Sequence, residues 1–243
     1  MAQALVPLKD LVQAKSRLAG LLRPSERRAL AQAMAEDVLG VLSRHSAIGQ
    51  ITLVSDDPGA SMLARNYGAQ CWSEKSLGAS GLNPVLQSAC ERLLTSGEPP
   101  LLVLHGDLPL LTDEDISAVL ASQRQLQGLI IGCDRKGRGT NLLAFSAADM
   151  PRFCFGTDSC AGHLASARSA GIRAQILQRS GIGLDVDEAP DLKCVMERLQ
   201  LVPQGSTARL LYHTALGARV TLALAMLPDV VLIGDEMDRG MAG

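Results

Sequence analysis

The chain of 243 residues has a formal net charge of −2 and a pI near 6.1, without the basic footprint that nucleic acid or an anionic membrane surface requires. Its length suits one well-buried domain, and no apolar run reaches the ~18 residues of a membrane helix. Its six cysteines never form a C-x-x-C pair, and the start "MAQALVPLKD" lacks the basic and apolar regions of a signal peptide, so a reduced, cytoplasmic protein acting on a small partner is expected.

With only 2% aromatic residues, the core has to come from Leu, Val, Ile and Ala, which suits helices laid on a sheet. The first strand is predicted at residues 3–8, "QALVPL", and the loop after it, "KDLVQAKSRLAG", brings Lys9, Lys15 and Arg17 close together. Cations at that place suit the phosphates of a nucleotide triphosphate. Neither a G-x-x-x-x-G-K-[ST] loop nor a G-x-G-x-x-G stretch occurs in the chain, so charge must replace glycine amides there. Leu30, Met34, Val38, Val41 and Leu42 then recur three or four apart, one face of a helix. Residues 50–55, 69–73 and 100–106 are further apolar strands, each followed by turn residues and a helix-period segment. This alternation predicts an α/β protein with a doubly wound, mostly parallel sheet.

Ligands of such sheets bind at the carboxyl ends of the strands. "LLVLHGDLPLLTDEDI" puts Asp107 at one such end, and Pro109 turns the chain away. Thr112 and Asp115 already supply a cap for the next helix, so Asp107 is free for a ligand. Before the third helix, the loop containing Gly81 and Asn83 could approach a base edge or simply cap that helix. "DRKGRGTNLLAF" delivers Arg135, Lys136 and Arg138 beside Thr140 and Asn141 ahead of another strand, and "FGTDSCAGHLASARSAG" sets Gly156 to Ser159 at a helix N-terminus, a ready anion site. His163 shares the helix face of Ser159 and is set either to touch a ligand there or to sit in the core.

"GIGLDVDEAPDL" again runs an extended segment into acids, with Asp185 and Asp187 two apart and so on one face of a strand. Two carboxylates there call for a cation, and hard oxygen ligands favour Mg²⁺. Glu188 and Asp191 read as solvated first-turn acids of a helix over 188–199. Beyond residue 202 the runs Leu210–His213, Val220–Leu224 and Val230–Ile233, interrupted at Gly217 and Pro228-Asp229, predict a small β appendage over 202–243. Its exposed edge would pair with its counterpart in a homodimer, leaving residues 1–201 as the main domain.

The set "VPLKDLVQAKSRL", "SGLNPVLQSA", "HGDLPLLT", "GRGTNLLAF", "FGTDSCAGHLASA" and "LDVDEAPDL" resembles, in order from residue 5 to about 200, the 2-phospho-L-lactate guanylyltransferase family of coenzyme F-420 biosynthesis. The resemblance implies a nucleotidyltransferase on a GT-A-like fold that transfers GMP from GTP to a phosphorylated three-carbon acid. By motif position it implies that Asp107, Asp185 and Asp187 hold metal, while Thr140, Gly156 and Ser159 bind the acceptor acid. Members of that family differ in using 2-phospho-L-lactate, phosphoenolpyruvate or 3-phospho-D-glycerate, and an Ala- and Arg-rich composition leans to the last. Lys9, Lys15 and Arg17 would offset the charge of departing pyrophosphate; Arg138, Asn141 and His163 would lie about the acceptor, and Gly81 with Asn83 near guanine. Two alternatives stay open at this point: another GT-A-type transferase, whose "GG-x-S-x-R-M" loop is absent, and a GTP-binding sensor without turnover, which has no need of the three acids.

Overall fold

A computed structural model describes residues 1–9, 11, 14–94 and 99–226 of the chain. In chain order they form β1 (Ala2–Pro7), α1 (Pro24–Arg44), β2 (Ile48–Val54), α2 (Ala60–Asn66), β3 (Gln70–Trp72), α3 (Leu82–Leu93), β4 (Leu101–Leu104), α4 (Asp113–Leu126), β5 (Leu129–Cys133) and β6 (Thr140–Phe145). They continue with α5 (Ser159–Ser169), β7 (Ala174–Leu177), α6 (Ser180–Gly183), α7 (Ala189–Leu201), α8 (Gly205–Tyr212) and α9 (Ala215–Ala225). One seven-stranded sheet runs β3-β2-β1-β4-β6-β5-β7. It is parallel except at β6, which lies antiparallel to both β4 and β5. The strands expected at 3–8, 50–55, 69–73 and 100–106 are β1 to β4.

The strands are apolar on both faces because helices cover both. Ala4, Val6, Leu102 and Leu104 point to the side packed by α1, α2 and α4, where Val38, Leu39, Leu63 and Val119 meet them. Leu5, Leu101 and Val103 point to the side packed by α3 and α5, where Leu86, Ala89 and Ala167 meet them. This is the alternation of a pleated strand with both faces buried. Thr112 caps α4 as expected, its hydroxyl accepting from the Asp115 N–H at 3.2 Å while the Asp115 carboxylate accepts from the Thr112 N–H at 3.0 Å.

Strand order reverses at β1, which lies between β2 and β4 in parallel register, Leu5 opposite both Thr52 and Val103. The loops leaving β1 and β4 therefore part from each other at the carboxyl edge and open a crevice between them. The Lys15 loop follows β1 and Asp107 follows β4, so the topology brings the two charges together.

The tail departs from expectation. Leu210–His213 and Val220–Leu224, expected as strands, lie at the end of α8 and within α9, and the third run, Val230–Ile233, lies outside the described residues. The cause is long-range. The Asp37 carboxylate of α1 accepts from the Ser206 and Thr207 N–H groups at 2.5 and 3.0 Å, capping α8. The Thr214 hydroxyl caps α9 by accepting from the Leu216 N–H at 3.2 Å. Ala208, Leu211, Val220 and Leu224 then bury against Leu30 and Met34 of α1 and Val195 and Leu199 of α7. The described residues after 202 thus offer no β edge through which a partner could pair.

Gly217, expected as a break between strands, is instead the contact between α8 and α9. A Cβ at this position would fall 1.3 Å from the Leu211 carbonyl oxygen. Gly217→Ala is therefore expected to force the two helices apart and cost ~1–3 kcal/mol, lowering Tm by roughly 2–4 °C per kcal/mol in a chain of this size. Thermal melts of the variant check this, and an unchanged Tm would mean that α8 and α9 do not cross at Gly217.

Candidate active site

At the carboxyl edge of β1, β4 and β6 lies a cleft of about 940 Å³. It is lined by Lys9, Lys15 and Arg17 from the loop after β1, by Asp107, Asp185 and Asp187, and by Thr140, Asn141, Gly156 and Ser159. Ten of the residues expected at a site from sequence thus meet in one place.

Each group is positioned by identifiable contacts. The loop after β1 is pinned where Leu8 N–H donates to the Val54 carbonyl at 2.9 Å and Leu11 N–H to the Asp57 carboxylate at 2.9 Å. Asp57 is buried, and its second oxygen accepts from the Gly59 N–H at 2.7 Å, so this acid after β2 fixes the loop that carries the lysines. Sequence reading passed over Asp57; the available signal was an acid pair, Asp56-Asp57, at a strand's carboxyl end, the same setting as Asp107. Lys15 itself takes a left-handed backbone (φ 57°) and opens the short 3₁₀ turn Ser16–Leu18, anchored by buried Leu18.

The Lys15 ammonium bridges Asp107 and Asp187, bonding Asp107 directly and the Asp187 carboxylate at 2.9 Å. Burial alone would lower the Lys15 pKa, but the two carboxylates outweigh it and hold it above its ordinary value. Burial would likewise raise Asp107, and the Lys15 charge outweighs that too and keeps this carboxyl below the usual range. The second Asp107 oxygen, Oδ1, is buried without a hydrogen-bond partner. Asp185 is pushed up to about 6, first by burial and then by the Asp107 charge. Asn141 orients it, donating from one amide nitrogen to the Asp185 carboxylate at 3.1 Å and to the Ile182 carbonyl at 2.8 Å. Asn141, expected at the acceptor, therefore serves the acid cluster.

Asp185 and Asp187 were expected on a strand. They stand instead on an extended, unpaired segment between α6 and α7. It is braced at both ends. Arg179 bonds the buried Asp115 at 2.6 Å ahead of α6, and Asp191 accepts from the N–H groups of Asp187 and Glu188 at 3.2 and 2.8 Å while pairing with Arg135 at 2.6 Å. Asp191 is thus a buried bracing acid and not the solvated one expected, whereas Glu188 is half-exposed and pairs with Arg17 at 3.2 Å.

One oxygen from each of Asp107, Asp185 and Asp187 lies within 4.8 Å of the others. Three hard oxygen donors, one carboxyl lowered by Lys15 and one raised chiefly by burial, an unpartnered buried Oδ1, and an ammonium already seated among them all fit a site built for a divalent cation.

In the third group, Gly156 (φ 136°) and Asp158 (φ 51°) turn the chain so that buried Ser159 starts α5. Thr140, first residue of β6, faces them. Arg138, expected among the binders, does not line the cleft. It is exposed and braces the turn from outside, its guanidinium donating to Asp158 at 2.8 Å and its carbonyl accepting from Cys160 N–H at 2.9 Å. His163 does not reach the cleft either: it is fully buried, bonded to the Thr140 hydroxyl at 3.1 Å and to the Cys154 N–H at 3.0 Å. Gly81 and Asn83 also lie outside the cleft wall. Both ends of the Asn83 amide engage the Phe155 backbone, accepting from its N–H at 2.8 Å and donating to its carbonyl at 3.0 Å. Asn83 instead holds the segment leading to Gly156. Sequence reading also assigned no role to His105, which lines the cleft with Nε2 buried and unpartnered.

A mostly parallel sheet whose switch-point cleft joins basic residues to a carboxylate cluster defines the class: this is a nucleotidyltransferase. Two solved structures share the fold. One, from Desulfovibrio desulfuricans and described as a nucleotide-diphospho-sugar transferase, superposes with a TM-score of 0.75 at 17% identity, over 91% of this chain and 97% of that one. The other, a 4-diphosphocytidyl-2C-methyl-D-erythritol synthase, superposes with a TM-score of 0.56 at 16% identity, over 82% and 98%. Residues 2–200 match the family described as Guanylyl transferase CofC like, and the chain belongs to that family. Curated relatives include proteins named phosphoenolpyruvate guanylyltransferase from Conexibacter woesei, 35% identical over 80% of this chain and 86% of the relative. The protein of that name from Chloroflexus aggregans is 34% identical over 79% and 96%. No helix among the described residues is long and apolar enough to cross a membrane.

Proposed function

We propose that the chain transfers GMP from GTP to a phosphorylated three-carbon acid with release of pyrophosphate, supplying a step of coenzyme F-420 biosynthesis. The observation that carries the reading is that one cleft gathers cations, a carboxylate cluster, and hydroxyls beside a helix N-terminus. A triphosphate suits the first and a phosphate-bearing carboxylic acid the last. The names of the relatives favour phosphoenolpyruvate as acceptor over the 3-phospho-D-glycerate to which composition leans.

The attacking group is an acceptor phosphate oxygen, ionised at neutral pH, so no general base is needed and the chain's work is alignment and charge neutralisation. Asp107, Asp185 and Asp187 would hold Mg²⁺, which when bound supplies positive charge beside the α-phosphate and the leaving pyrophosphate. Lys9, Lys15 and Arg17 face the departing pyrophosphate and offset its charge. Ser159 and Thr140, with the amide end of α5 at Gly156, hold the acceptor so that its phosphate points along the line of attack.

Purified protein incubated with GTP, Mg²⁺ and each of the three acids, with pyrophosphate release followed over time, tests the reading. Turnover with phosphoenolpyruvate above the others is expected, and GTP left intact with every acid would overturn it. Ser159→Ala is expected to raise the acceptor KM about tenfold, the worth of one hydrogen bond to a charged group, at nearly constant GTP KM. An equal rise for both substrates would move Ser159 out of the acceptor wall.

A further inference from the structure

His163 lies behind the cleft, on the α5 turn after Ser159, and touches no open space. Its neighbours nevertheless fix its hydrogen-bond direction. Nε2 is 3.0 Å from the Cys154 backbone nitrogen. A backbone N–H only donates, so Nε2 carries the lone pair, and a neutral imidazole then has its single proton on Nδ1. Burial pushes the His163 pKa down to about 4, so the ring is neutral near pH 7. Nδ1 lies 3.1 Å from Thr140 Oγ1, and the ring also hydrogen-bonds the Ser159 backbone; carrying the proton, Nδ1 has no lone pair to accept the Thr140 hydroxyl proton. The Phe155 ring packs edge-on against the imidazole at 4.8 Å and keeps it from turning.

The consequence falls on Thr140. A hydroxyl that accepts at one side has its own proton left for another partner. Thr140 lines the cleft beside Gly156 and Ser159. Carboxylate and phosphate oxygens can only accept, so an anion there is held by a hydroxyl that offers its proton and repelled by one that offers lone pairs. With the opposite tautomer, Thr140 would give its proton to Nδ1 and turn lone pairs toward the cleft.

We infer that His163 is a positioning residue for anion recognition: by donating from Nδ1 to Thr140 Oγ1 while accepting the Cys154 N–H at Nε2, it makes the Thr140 hydroxyl a donor aimed at the acceptor acid. This rests on the reading of the Thr140–Ser159 wall as the acceptor site. The same ring couples the segment before Gly156 to the start of β6, so the two sides of the acceptor wall share one support.

Two substitutions separate its two bonds. His163→Gln sets a carbonyl oxygen near the place of Nε2, keeping the Cys154 N–H satisfied, but leaves Thr140 without its donor. His163→Asn sets an amide N–H near the place of Nδ1, keeping the Thr140 bond, and Asn83 still clamps Phe155 through both backbone groups. His163→Gln is expected to raise the acceptor KM about tenfold at unchanged GTP KM, and His163→Asn to recover most of that loss. In a Thr140→Val background the two should have equal acceptor KM values, an outcome that a purely structural role would not produce. Imidazole ¹⁵N–¹H spectra of the ligand-free chain read the tautomer without any substrate, and an Nδ1–H ring is expected. If the wild-type chain turns over none of the acids, the functional reading fails while the spectra still judge the tautomer on which the Thr140 donor depends. An Nε2–H tautomer, or a His163→Gln protein with wild-type acceptor KM, overturns the inference.

Discussion

Asp107→Asn is expected to fold normally and to lose GMP transfer by on the order of a hundredfold or more. Groups that merely orient a metal ligand are worth ~10–100-fold in affinity or activity, and Asp107 is placed to be a ligand itself. Its Oδ1 is buried with no partner inside the protein, an arrangement that costs stability unless a ligand completes it. The amide keeps the shape but halves the acceptor oxygens and removes the charge. The fold survives because Lys15 retains Asp187 at 2.9 Å, so its ammonium is not stranded. Calorimetric titration of Mn²⁺ into the nucleotide-free chain should show weakened binding in parallel with the lost turnover. Full activity at saturating Mg²⁺ would remove Asp107 from the metal site.

What could be read from sequence follows from the range of the interactions involved. Asp107 was legible because its cause is local: a strand of four apolar residues ends at Leu104, His105 and Gly106 follow, and Pro109 turns the chain, so an acid at that point has to face the carboxyl edge. Lys15, Asp185 and Asp187 were legible as charges; the reversal of strand order at β1 brings Lys15 to Asp107, and Asn141 and the Arg135–Asp191 pair set the segment that carries the other two acids. The helix start at Ser159 was legible from its turn residues. Where reading failed, the deciding partner was far away in the chain. Asn83 looks like a loop residue until Phe155, 72 positions on, takes both ends of its amide. Leu11 needs Asp57, 46 positions away, for its loop to hold one shape.

The tail makes the same point about secondary structure. Short apolar runs such as "RVTLALAM" satisfy helical and extended periods alike, and valine content tips a local judgement toward strand. Here the Asp37 cap on α8, 169 positions away, and the surface of α1 and α7 left open for Leu211, Val220 and Leu224 decide for helix. Tertiary burial outweighs a propensity difference of a few tenths of a kcal/mol per residue.

Lys15→Ala is expected to act in two opposite directions, on stability and on metal binding. In the absence of divalent metal, its ammonium pairs with the acid cluster, and removing it takes away the cation bonded to Asp107, which is buried at one oxygen beside Asp185 and Asp187. Breaking a buried pair costs ~3–5 kcal/mol. Side-chain exposures of 20% for Asp107 and 51% for Asp187 screen part of this, so about 1–3 kcal/mol is expected, or a Tm lower by roughly 3–10 °C in EDTA. Added Mg²⁺ should restore more stability to the variant than to the wild-type chain, because a ligand that binds only the folded state stabilises it by mass action. The ammonium sits among the same oxygens that would hold the metal, so its removal also removes a competitor, and Mn²⁺ affinity without nucleotide should rise. Turnover should fall nonetheless, since the charge that Lys15 would turn toward the departing pyrophosphate is gone. Lower Tm in EDTA, tighter Mn²⁺ binding and slower GMP transfer therefore belong together. A variant whose melting and Mn²⁺ affinity match the wild type would show that Lys15 and the metal do not share the cluster.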